Sequence, residues 1–120
     1  VKINTNALKK INQLIKQNNN KTQIIAVTKT LSIKAVHSAL ENNIKIIGEN
    51  RVVEAEKKFS QYQHRRKIQL HLIGHLQSNK VKKAVNVFDI IDPTGNSNTF
   101  LLLYFIFLPS GIYIALCLNE

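Results

Sequence analysis

Three short apolar runs, each followed by a stretch of helical period, constrain the fold of this chain more than any other feature. Gln23-Ile24-Ile25-Ala26-Val27-Thr28, Ile44-Lys45-Ile46-Ile47 and Ile68-Gln69-Leu70-His71-Leu72-Ile73 have strand length and β-branched content. The first run reads as a strand buried on both faces. In the third, alternation puts Ile68, Leu70 and Leu72 on one face and Gln69, His71 and Ile73 on the other. Behind Ser32, the residues Ile33, Val36, Ala39 and Leu40 recur at helical spacing, and Asn43 suits a left-handed helix end. Val52, Ala55 and Phe59 do the same behind Asn50, with a Glu54–Lys58 pair expected on the exposed side. Val81, Val85 and Phe88 follow Ser78 or Asn79. A first helix with Leu8, Ile11, Leu14 and Ile15 inward and Thr5 as cap precedes all of these, and residues 89–91 offer a fourth strand. Residues 61–67 read as a polar loop. Strands alternating with helices over short connections imply a parallel sheet with right-handed crossovers.

That topology gives one sheet edge chemical interest. The first strand ends on Lys29, the second breaks at Gly48-Glu49-Asn50, and the third carries His71 and runs into Gly74 through Lys80. In parallel α/β sheets all of these lie at the C-terminal rim, where ligands bind. A lysine whose stem lies among Ile, Ala and Val loses hydration, and a desolvated amine is a nucleophile toward aldehydes. Each residue has a plainer alternative. Lys29 marks a strand end in water, Asn50 caps a helix, and His71 is a satisfied core histidine. His71 and His75 are four residues apart but flank a strand end and lack a metalloprotease glutamate, so no metal is expected. The four glycines are too scattered for a Walker or dinucleotide-binding loop.

Charge narrows the partners. All 17 lysines and arginines lie in residues 1–83 against four acids, and the net charge is +10. Such a balance admits a basic nucleic-acid or membrane-surface module carried by Arg65, Arg66, Lys67, Lys82 and Lys83. The bases are mostly dispersed, however, and no RNA-binding aromatic signature accompanies them, so neither nucleic acid nor membrane is the expected partner. A single cysteine, Cys117, excludes an internal disulfide framework and fits a reducing, cytoplasmic compartment. Residues 1–20 lack the apolar core of a secretory leader. A monomer is expected.

The pattern changes after Ile91. Residues 92–98 are dense in turn formers, and two apolar runs, 100–108 and 112–118, follow on either side of Pro109-Ser110-Gly111. Together they approach the length of a membrane span, but the break sits mid-run and no bases flank it. Two strands, or sequence foreign to the fold, are the preferred readings.

Ala26-Val27-Thr28-Lys29-Thr30, Gly48-Glu49-Asn50-Arg51-Val52 and His71-Leu72-Ile73-Gly74-His75-Leu76-Gln77-Ser78-Asn79-Lys80 occur in this order. Over residues 8–91 the chain resembles the pyridoxal phosphate homeostasis proteins, also called the proline synthetase co-transcribed family. The resemblance implies an α/β fold, a (β/α)₈ TIM-type barrel like the N-terminal domain of alanine racemase. It implies pyridoxal 5′-phosphate (PLP) held as a Schiff base on Lys29, with Asn50 and His71 beside it. It also implies a role in vitamin B6 balance with no established reaction. A full barrel takes about 250 residues, so 120 residues supply a partial one, about the first four strands. Residues 1–91 are therefore expected to be the N-terminal part of the barrel and residues 92–120 a divergent apolar tail, from truncation or a frame shift.

Overall fold

The computed structural model describes residues 3, 5–18, 22–91, 103–108 and 111–117, the last two segments as backbone. Strand β1 (Gln23–Val27) is central to the sheet. Its neighbour β2 (Ile46–Glu49) lies parallel to it with Val27 opposite Gly48, and β3 (Gln69–Leu72) lies parallel to β2 with Gly48 opposite His71. A two-residue β4 (Ile90–Ile91) completes the parallel set beside β3. Helices α1 (Thr5–Asn18), α2 (Ile33–Glu41), α3 (Val52–Phe59) and α4 (Val81–Val87) precede and connect these strands. The four-stranded parallel α/β order expected from the apolar rhythm is present.

Two further strands, β5 (Leu103–Leu108) and β6 (Gly111–Cys117), pair antiparallel with each other, and β6 runs parallel to β1. The sheet order is thus β4-β3-β2-β1-β6-β5. Strands, not a spanning helix, occupy the described residues of the apolar tail, and no described helix is long and apolar enough to cross a membrane. The turn-rich residues 92–98 lie outside the described residues.

Period-2 alternation sorts the strand residues onto two faces. Ala26, Ile47, Leu70 and Leu72 join Val36, Ala39, Val52, Ala55, Phe59, Ala84 and Phe88 in one core between sheet and helices. Ile25, Val27, Ile46, Gly48, His71 and Ile73 are also buried, on the opposite face by the same alternation. Gly48 lies within β2 and does not end it. Its missing side chain leaves the space that the Cδ1 atoms of Ile25 and Ile73 fill, 3.1 and 2.9 Å from where a Cβ would stand.

Several local expectations shift for identifiable reasons. Thr5 is the first helical residue of α1, and the cap position before it is outside the described residues. The sheet-facing position of α4 is Ala84. Val81 and Val85 fall on an adjacent stripe and are exposed, Val85 by 63%. On α1, Leu8 and Ile11 are buried while Leu14 is 56% exposed. Residues 61–67 are not simply loop. A 3₁₀ turn spans Arg65–Lys67, and Tyr62 packs edge-on against Phe59. Asn43 does adopt the left-handed conformation, φ 60°, at the end of α2.

Candidate functional site

β1 ends in a tight turn. The Leu31 N–H donates to the Thr28 carbonyl at 3.1 Å, which places Lys29 and Thr30 at the two central positions. Thr30 has φ 64°, the left-handed region that β-branched residues avoid. Lys29 therefore sits on a strained corner, half-buried, at the C-terminal end of the sheet's central strand. Because Thr30 is exposed, Thr30→Gly removes the strain with little loss of packing. It is expected to raise stability by about 0.5–1 kcal/mol, strain relief exceeding the added chain entropy of glycine. Urea unfolding with an unchanged m-value checks this.

Asn50 follows β2 directly. It lies two residues past Gly48, as Lys29 lies two past Val27, the partner of Gly48 on the neighbouring strand. It does not cap α3, whose N-cap position is Arg51. Its Oδ1 is instead buried with no hydrogen-bond partner. Gly74, in the loop after β3, packs so closely on Asn50 that a Cβ there would stand 2.9 Å from the Asn50 carbonyl oxygen and 3.0 Å from its Cβ. Beside Asn50 opens a cleft of about 530 Å³ lined by Arg51, Glu54, His75, Gln77 and Lys80. Neither Lys29 nor His71 lines that cleft.

His71 lies deeper than a strand-edge residue. It is fully buried within β3, level with Gly48 and Val27, two residues below the rim position of Asn50. Its Nε2 lies 3.0 Å from Gln69 Oε1, within hydrogen-bond distance. Lys29 and Asn50 thus follow the C-terminal ends of adjacent strands, and His71 lies within the third.

Behind the rim, on the helix side, is a buried polar network that the apolar pattern did not reveal. Glu49 is 0% exposed. Its Oε1 accepts the Thr28 hydroxyl at 2.8 Å and the Lys58 ammonium, while its Oε2 has no partner. Lys58 Nζ also donates to the Thr28 carbonyl at 2.8 Å. The Lys58 stem can reach the rim from the last turn of α3 because helical side chains lean toward the helix N-terminus. Burial pushes the Glu49 carboxyl above the ordinary carboxylate value. Lys58 and Thr28 pull it back down, and Glu54 adds repulsion. Lys58 therefore does not pair with Glu54, whose partner is Arg51 at 3.1 Å. A carboxylate at the end of an apolar strand, followed nine residues on by a helical lysine, was the signal available in the sequence.

The basic surface is divided. Arg65 donates to Asp89 and to the Val87 carbonyl, both at 2.9 Å, and holds the 3₁₀ turn to the start of β4. Lys83 lies 3.6 Å from Glu56. Two of the five bases proposed for a nucleic-acid or membrane face are therefore occupied within the fold. Among the described residues no group of three or more His, Cys, Asp or Glu is placed to hold a metal ion.

No family model matches the chain. Among curated proteins it is 36% identical over 74 residues to the pyridoxal phosphate homeostasis protein of Synechocystis, covering 62% of this chain and 34% of the relative. It is 38% identical over 84 residues to the protein of that name from Buchnera aphidicola, covering 68% and 37%. The chain spans about a third of the length of these relatives. Among solved structures it is similar to PipY of Synechococcus elongatus, solved without and with PLP bound. The TM-score is 0.60 at 37% identity, over 69% of this chain and 39% of PipY. An unknown protein from Bifidobacterium adolescentis gives a TM-score of 0.63 at 30% identity, over 73% of this chain and 41% of that one.

Proposed function

Because this chain belongs, over the stretch it shares with them, to the pyridoxal phosphate homeostasis proteins, we propose that it binds pyridoxal 5′-phosphate covalently through Lys29. Asn50 and His71 would flank the ring. The role is that of a cytoplasmic carrier or buffer of a reactive aldehyde, in vitamin B6 balance, rather than catalyst of a reaction of its own. When bound, such an aldehyde exchanges its C=O for C=N on a neutral primary amine and releases one water.

The observation that carries this reading is the buried, unpartnered Oδ1 of Asn50 one strand away from Lys29. Buried acceptors are rarely left unpaired, and one at a sheet rim asks for a donor from a ligand. A hydroxyl-bearing ring supplies such a donor. Lys29, in the strained turn after β1, would supply the amine, and the buried His71 of the third strand would lie below it. The residues present therefore fit the group.

The test is direct. The chain is incubated with pyridoxal 5′-phosphate, reduced with borohydride, digested and mapped by mass. A single label on Lys29, lost in Lys29→Arg, is expected. Label spread over surface lysines, or undiminished in Lys29→Arg, rejects the assignment.

A further inference from the structure

The Thr28 carbonyl accepts two hydrogen bonds, one from the Leu31 N–H that closes the Lys29 turn and one from Lys58 Nζ. The peptide joining Thr28 to Lys29 is planar, so a fixed carbonyl fixes the Lys29 N–H and the direction in which Lys29 leaves the strand. The same ammonium is bonded to Glu49, the residue before Asn50. It thereby joins the ends of β1 and β2 from behind the sheet. The turn it holds carries a threonine in the left-handed region, a conformation that lasts only where the surroundings over-determine it.

From this geometry we propose that Lys58 is a positioning residue for the Lys29 site. Its bond to the Thr28 carbonyl keeps the strained turn closed, so the Lys29 amine stays in one place at the rim. The inference rests on the reading of Lys29 as the amine that takes the aldehyde. Lys58 itself, on the helix side of the sheet with a side chain 12% exposed, does not touch the ligand. Without the clamp the turn relaxes toward ordinary φ values, the amine samples a wider volume, and its effective concentration at the ring falls. A purely structural ion pair would contribute to stability and leave the turn as it is.

The distinguishing variant is the apolar triple Thr28→Val, Glu49→Leu, Lys58→Met. It removes every charge and side-chain hydrogen bond of the network together and so avoids leaving a charge buried alone. Two quantities are read in the full chain: hydrogen exchange at the Leu31 amide, and the rate of borohydride-trapped label at Lys29. The triple variant is expected to unfold cooperatively, to lose protection at Leu31, and to label at least about tenfold more slowly than the parent. Should the triple not fold, Lys58→Met alone, assayed at a temperature where it is folded, is read by the same two quantities. A folded variant with parental Leu31 protection overturns the clamp, as does one with a parental labelling rate. If the parent chain itself takes no label at Lys29, the binding reading fails, and Leu31 exchange still decides whether Lys58 holds the turn.

Discussion

Glu49→Ala is expected to lower the unfolding free energy by about 3–5 kcal/mol, a large part of what a small domain possesses. The cost comes less from the lost pair than from what remains. Lys58 is left nearly buried without a counter-ion, and the Thr28 hydroxyl loses its acceptor. Because the loss is one of compensation, the apolar triple should recover most of it, and chemical unfolding of the parent and both variants measures this. Parental stability in Glu49→Ala would mean that the pair is not buried as described.

The same carboxyl sets a pH dependence whose sign follows from its raised pKa. Below about 4.5 the group is protonated in folded and unfolded chains alike. As pH rises past that value the unfolded chain releases its proton first, so the contribution of Glu49 to stability declines until pH passes the raised folded value. Relative to Glu49→Gln, the parent should therefore become progressively less stable as pH rises through this window. A difference that grows in the parent's favour would contradict the burial-dominated shift.

Gly74→Ala is expected to cost about 2 kcal/mol and to reduce labelling at Lys29 together with it. The added methyl would meet the Asn50 backbone at 2.9 Å, and backbone cannot rotate aside as a side chain can. The β2–α3 connection must shift, carrying Asn50 with it. Gly48→Ala is the control. Its Cβ meets only side-chain carbons, Ile73 Cδ1 and Ile25 Cδ1 and Cγ1, which can give where backbone cannot, so the cost should stay near ~1 kcal/mol, the lower end for overpacking, with labelling retained. Equal effects at the two glycines would remove the argument that Gly74 seats Asn50.

What the sequence determined by itself was the order of elements and the identity of the rim. Apolar runs of strand length alternating with helical stripes leave a parallel sheet as the arrangement that buries both, and such a sheet brings its strand ends to one side. That argument puts Lys29 and Asn50 at the ends of adjacent strands, and the shared motifs name the relatives. What only the tertiary structure decided is how those residues are held. Hydrophobic period reports which face is apolar and is silent on polar groups that a fold buries in pairs. Lys58 therefore read as one more exposed helical cation pairing with Glu54, when it reaches behind the sheet to Glu49 and Thr28. Gly48 read as a strand breaker because its use depends on Ile25 and Ile73, distant in sequence and adjacent in space. The apolar tail was ambiguous for the same reason. An unbroken apolar run suits a strand or a helix, and it is the open edge of β1, a partner the local pattern does not contain, that receives β6 as a strand.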